Sequence, residues 1–253
     1  AVLDIVFRQA SNSRIALNAQ AVNHNDTRLQ YGPDFAFYDV ADSEAANQLI
    51  LKCYFEEVSK HGVENVQILS PQRRKGVVCS NRLNEQIREI ANPPRIGVRE
   101  IKCGGRLFRE GDRIIQTKSE GDVSNGDVGV ITAIREDGEG EPTIHIRLLD
   151  GREFEYSADM LEKVDLSYCI SIHKSQGAEF PVVIIPILKE HYIMLRRNLL
   201  YTAISRAKVK VILIGQKQAV FMAIHKSDVD KRNTILSDRI VAYYAREKQN
   251  LVG

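Results

Sequence analysis

The amino-acid sequence predicts an α/β fold: a mostly parallel sheet with helices on both faces, interrupted by a small inserted β-barrel. Three observations carry this. Strand-like and helix-like runs alternate up to Pro94 and again from Ser167, the pattern of a layered parallel sheet. Residues 182–187 form an unbroken apolar run, as expected of a central strand buried on both faces. Between residues 95 and 163 the texture changes to short strands separated by turn signals, with no helical run, which suggests a separate all-β module. The expected division is 1–94 and 165–253 for the α/β part and 95–164 for the insertion.

Each element follows from local pattern. Ile15, Ala19 and Val22 repeat at helical spacing over 11–25, with Ser11 or Ser13 placed to cap the helix. A strand is expected over 35–40 and a helix over 43–60, in which Ala46, Leu49, Ile50 and Cys53 share a face and which Gly62 ends. A strand at 66–69 and a helix at 81–91, stopped by Asn92-Pro93-Pro94, complete the first stretch. The insertion holds strands near 112–118, 126–135, 143–149 and 152–156, with turns at Asn125-Gly126, Asp137-Gly138 and Asp150-Gly151. Beyond it, strands are expected at 168–172, 182–187 and 209–214, and helices at 194–207, 216–225 and 238–248.

Composition narrows the function classes. With 253 residues and 43% hydrophobic content the chain can bury a sizeable core. The net charge of +2 permits nucleic-acid binding without arguing for it. Arg73-Arg74-Lys75, Arg196-Arg197 and Lys208 with Lys210 are local basic clusters, each readable singly as a solvated face. The four cysteines form no C-x-x-C pair and read as reduced, buried thiols of a cytoplasmic protein. No metal site is expected, nor any membrane span. Ala1 opens directly into the strand-like Val2-Leu3-Asp4-Ile5-Val6-Phe7, so the chain is expected to be a piece of a longer protein. It contains no Gly-Lys dipeptide and no Asp-Glu pair of the kind that holds Mg²⁺ and orients water at the end of a core strand. A P-loop ATPase needs the first to hold phosphates and the second to hold Mg²⁺, so ATP hydrolysis by this chain alone is not expected.

Four segments carry candidate chemistry. In Ser171-Ile172-His173-Lys174-Ser175-Gln176-Gly177-Ala178-Glu179-Phe180, His173 and Lys174 can meet phosphate oxygens. Gln176 can donate and accept, Gly177 admits close backbone approach, and Glu179 can accept from a ribose. Asn198 to Lys208 contains Tyr201-Thr202-Ala203-Ile204-Ser205-Arg206-Ala207-Lys208, with Arg206 as a cation able to stabilise phosphoryl charge. Phe7-Arg8-Gln9-Ala10 with Ser13-Arg14-Ile15 offers Arg8. Leu69-Ser70-Pro71, followed by Arg73, Lys75, Gly76 and Leu83-Asn84, offers Ser70 as a phosphate donor and Lys75 as its counter-charge.

Taken in order, these segments resemble motifs V, VI and IV and the strand-end DNA loop of RecD-like superfamily 1 DNA helicases. The match is to the C-terminal part of the exodeoxyribonuclease V alpha subunit kind, and it extends over essentially the whole chain. Phe108-Arg109-Glu110-Gly111-Asp112-Arg113 and Asn125-Gly126-Asp127 resemble the Src-homology-like barrel inserted in that family. The chain departs from the family at Gln72-Arg73-Arg74, where a hydrophobic or aromatic residue is usual. The resemblance implies a RecA-like domain working with ATP and Mg²⁺, both bound mainly by a second, upstream RecA-like domain of the same polypeptide. Arg206 and Arg8 would reach the γ-phosphate, and Gly177 and Glu179 would lie around the nucleotide. Ser70, Lys75, His173, Lys174 and Gln176 would meet single-stranded DNA. It further implies 5′-to-3′ travel, a place in DNA repair or recombination, and a helicase–nuclease complex among its partners. Two alternatives stay open: a nucleic-acid-binding or interaction module without catalysis, and the helicase portion of a relaxase.

Overall fold

The structure, a computed structural model, describes residues 13–136, 142–226 and 243. The expected strand-like start, the Asp137-Gly138 turn and the helix at 238–248 lie outside these residues or almost wholly so.

The main sheet has five strands, all parallel: β1 (Phe35–Asp39), β12 (Ala207–Gly215), β11 (Phe180–Ile187), β2 (Val66–Ser70) and β10 (Cys169–Ser171), in that spatial order. Side chains alternate across a strand, and the cores follow. Val183, Ile185, Ile187, Val211 and Leu213 face α1 (Arg14–Asn23), α4 (Arg197–Ile204) and α5 (Lys217–His225). Val182, Ile184, Ile212 and Ile214 face α2 (Ser43–His61) and α3 (Ser80–Ala91). Both faces of β11 are thus covered, which is why its sequence is an unbroken apolar run rather than an alternating one. The Ser13 hydroxyl caps α1 by accepting from Ala16 N at 3.2 Å, and Asp42 caps α2 through Ala45 N at 2.9 Å.

The insertion is a second, antiparallel sheet in the order β8-β7-β6-β5-β9: Glu153–Ser157, Pro142–Leu148, Val128–Glu136, Arg113–Gln116 and Val164–Leu166. It surrounds its own core of Ile114, Ile131, Ile144, Ile146, Tyr156 and Val164. The hairpin of β3 (Glu100–Cys103) and β4 (Arg106–Arg109) packs Phe108 into the same core. Leu161, in the 3-10 turn Asp159–Lys163 between the edge strands β8 and β9, is also fully buried there. The chain changes from one sheet to the other across Ser167 and Tyr168.

One element is shorter than its periodicity predicts. The helix expected over 194–207 spans only Arg197–Ile204. Residue 206 must instead serve the sheet: its carbonyl accepts from Phe180 N at 2.9 Å, and Ala207 begins β12 opposite Phe180. Upstream, Met194 N and Leu195 N bond back to the His191 carbonyl in a turn.

Candidate nucleotide and nucleic-acid interface

The segment from Ser171 to Phe180 does not form one turn at one edge of the sheet. β10 ends with Ser171 paired to Ser70, at the C-terminal ends of the strands. β11 begins with Phe180 paired to Ala207, at the N-terminal ends. The intervening residues cross from edge to edge. A 3-10 turn, Ile172–Ser175, opens the crossing, and the buried Ser175 hydroxyl donates to Ile172 O at 2.7 Å. Ala178 N donates back to Ser175 O at 3.1 Å. Gly177 has φ +91°, which L side chains rarely adopt. Its two halves therefore face different neighbours. His173 and Lys174 lie at the end near the loop after β2. Gly177 and Glu179 lie at the end near Arg206.

At the second end, the Arg206 guanidinium is seated against the crossover. Its Nη1 donates to Ala178 O at 3.1 Å, and Nε to Thr202 O at 3.3 Å. Glu179 pairs with Lys208 at 2.7 Å. A cavity of about 290 Å³ separates the crossover from α4, lined by His173, Gln176, Arg196, Asn198 and Thr202 among others. The two most specific sequence segments are thus adjacent in space.

At the first end, the loop after β2 is built around Ser70. This serine is fully buried, with its hydroxyl 2.8 Å from Val78 O and 3.0 Å from Gln72 O. It orders the loop from within rather than standing on its surface. The loop in turn caps α3, because Ser80 N and Asn81 N donate to Gln72 O and Arg73 O. Lys75 is exposed on this loop. Asn84, read from sequence with the DNA loop, is buried: its amide donates to Cys169 O (2.8 Å) and Leu166 O (3.0 Å) and accepts from Cys169 N (2.7 Å). Arg8 lies outside the described residues. Its neighbour in that segment, Arg14, pairs with Asp34 at 3.1 Å.

Sequence reading missed Asp165. Its carboxylate takes Arg73 at 2.7 Å, Lys174 at 2.9 Å and Arg106 at 2.6 Å. Burial alone would raise its pKa. The Lys174 hydrogen bond and the charges of Lys174, Arg73 and Arg106 outweigh that, and hold the carboxyl below the usual range. No local motif marks this residue, since its three partners come from three distant segments.

Residues 166–214 match the UvrD-like helicase C-terminal domain. Residues 83–147 match the ATP-dependent RecD-like DNA helicase SH3 domain. The ATP-dependent RecD2 DNA helicase of Deinococcus radiodurans is 28% identical over 240 residues, covering 94% of this chain and 32% of that protein. The RecBCD enzyme subunit RecD of Mycobacterium tuberculosis is 34% identical over 109 residues, covering 42% of this chain and 18% of that protein. A solved Bacteroides Pif1 bound to single-stranded DNA aligns at 15% identity and TM-score 0.47, covering 96% of this chain and 56% of that one. The chain is thus similar to a helicase C-terminal domain over one stretch and to a helicase SH3 domain over another, on an α/β fold with a parallel central sheet. Within the helicases, it is similar to a RecD-like DNA helicase over 94% of its length. It spans about a third of the length of the Deinococcus relative and less than a fifth of the mycobacterial one.

Proposed function

We propose that this chain is the C-terminal motor portion of an ATP-dependent DNA helicase, composed of a discontinuous RecA-like domain (1–94 and 165–253) and an inserted barrel (95–164). The observation that carries this reading is the edge-to-edge crossover. Within ten residues it joins the end of β10, followed by His173, Lys174 and Gln176, to the start of β11, where Arg206 rests against the segment holding Gly177 and Glu179; we assign the first group to DNA and the second to the nucleotide. A change at one end is transmitted through a short, hydrogen-bonded segment to the other, which is what coupling of ATP turnover to stepping requires.

ATP with Mg²⁺ supplies the free energy of stepping, its phosphates held mainly by an upstream RecA-like domain. This chain's Arg206 and Arg8 neutralise γ-phosphate charge as that domain closes against it. Glu179 hydrogen-bonds the ribose, and Gly177 lets the backbone approach. Lys75, on the loop that Ser70 orders from inside, and His173, Lys174 and Gln176, on the crossover, contact single-stranded DNA.

The test uses the longer enzyme with its upstream domain present. ATP hydrolysis is measured with and without single-stranded DNA, for wild type and Arg206→Ala. DNA-stimulated hydrolysis that drops roughly a thousandfold in the variant is the expected result. Hydrolysis indifferent to Arg206, or absent in wild type, would instead favour a binding or interaction module.

A further inference from the structure

Residues 178–180 and 206–208 are tied together at the edge of the sheet where β11 and β12 begin. Phe180 pairs with Ala207 in the sheet register. Phe180 N donates to Arg206 O at 2.9 Å. The Arg206 guanidinium donates to Ala178 O at 3.1 Å. These three contacts fix the backbone and the seat of Arg206. A further one bears on the Glu179 carboxylate itself: the Lys208 ammonium lies 2.7 Å from its Oε2.

The two partners of that ion pair stand on different supports. Lys208 is the second residue of β12, and its backbone is set by the strand beside it. Glu179 closes the crossover, between Gly177 at φ +91° and the start of β11. Its long side chain must settle in one rotamer before its carboxylate can meet a ligand. A carboxylate accepts several hydrogen bonds, so an ammonium on Oε2 orients the group without exhausting it. The side chains of Lys208 and Glu179 are 52% and 27% exposed. At that exposure an ion pair adds little to stability, and its consequence is orientation.

We infer that Lys208 is the positioning residue for sugar recognition: it holds the Glu179 carboxylate where a ribose hydroxyl donates to it, and so sets a preference for nucleotides with an intact ribose. This rests on the nucleotide reading of this end of the crossover and adds the residue that controls its selectivity. Glu179 is ordered before the nucleotide arrives, so the cost of ordering it does not fall on binding. Lys208→Met keeps the apolar stem and removes the charge, and the nucleotide must then order Glu179 itself. Arg206 keeps both carbonyls that seat it, Ala178 O and Thr202 O.

The experiment uses the longer enzyme with its upstream domain. Isothermal titration calorimetry gives the dissociation constants of ADP, 2′-deoxy-ADP and 3′-deoxy-ADP for wild type, Lys208→Met, Lys208→Arg and Glu179→Ala. Hydrolysis at saturating ATP gives kcat for the same proteins. In wild type, one of the deoxy nucleotides is expected to bind roughly tenfold more weakly than ADP, the worth of a hydrogen bond to a charged acceptor. Lys208→Met is expected to weaken ADP by about three- to tenfold and to shrink the sugar preference, with the change falling on affinity rather than on kcat. Lys208→Arg keeps the charge and is expected to restore both. A Lys208→Met protein that binds all three nucleotides like wild type overturns the positioning role. So does a fall in kcat at unchanged ADP affinity, which would place the effect of Lys208 on Arg206. If Glu179→Ala keeps the wild-type sugar preference, or wild type has none, the ribose reading itself fails, and the inference with it.

Discussion

His191, in the turn after β11, has no exposed surface, and its Nδ1 accepts from Leu188 N at 3.3 Å. An acceptor nitrogen in that bond requires the neutral ring. Burial lowers its pKa from 6.5 to about 4, and the half-exposed Glu190 carboxylate 3.8 Å away does not reverse this. The folded-state value lies below the unfolded one, so the contribution is complete above pH 6.5. It is lost as pH falls from there through 4, by up to about 3 kcal/mol. Urea titrations of wild type and His191→Gln at pH 7 and 4.5 isolate it: the wild type should lose about that much more stability on acidification. Equal losses would show that the ring is not held neutral. Neither His191 nor Asp165 is legible in the sequence as a special residue, because what sets each apart is its surroundings. His173, Lys174 and Arg206 were legible because they sit inside ordered motifs, yet their division between two edges of the sheet was not. Local sequence records that a strand ends and another begins, and not where in the sheet the second one starts.

At the level of elements, α3 shows how a polar contact can carry a docking. The Asn84 amide forms three hydrogen bonds to the backbone at Leu166 and Cys169 and so pins the helix to the start of β10. Asn84→Ala leaves Leu166 O, Cys169 O and Cys169 N without these partners, the two Cys169 groups in a buried position. At about 1–3 kcal/mol per stranded group, partly relieved by relaxation, the expected loss is about 3 kcal/mol. Thermal melting should show a fall in Tm of several degrees. A shift under one degree would mean that Leu83 and Ile87 alone hold the helix in place. The helix itself was expected over 81–91, but the role of Asn84 was not, since an asparagine within a helix reads as surface until its partners are known. The β3–β4 hairpin was obscured for a related reason. Half of its strand residues are charged, and only Gly104 and Gly105, both at positive φ, mark the turn. The 194–207 helix was over-extended because apolar residues keep helical spacing past Ile204, where β12 pairing captures the backbone.

Across the whole molecule, the two sheets share a buried polar seam. Arg113 leaves β5 of the insertion and donates to Val63 O at 2.6 Å, Val66 O at 2.9 Å and the Gln67 side-chain oxygen at 3.1 Å, all in the parallel-sheet part. Gln67 in turn donates to Ser167 O and Tyr168 O, where the chain passes between sheets. Burial lowers the Arg113 pKa, yet an arginine stays charged at neutral pH. A guanidinium removed from water is tolerable only while these acceptors surround it, and they are in place only when both sheets are folded. The insertion and the parallel sheet should therefore unfold together. In urea, far-UV circular dichroism and the near-UV tyrosine signal, from nine tyrosines and no tryptophan, should give superimposable transitions for wild type. Arg113→Leu removes the charge but strands the three acceptors, at about 3 kcal/mol or more, and should pull the two transitions apart as the insertion loses its anchor. Separate transitions already in wild type would show that the seam does not couple the sheets. Coupling matters beyond stability, because Arg73 and Lys174 belong to the parallel-sheet part, Arg106 and Lys118 to the insertion, and Asp165 to β9 at the boundary between them. The spacing of these charges is only as fixed as the seam beneath them.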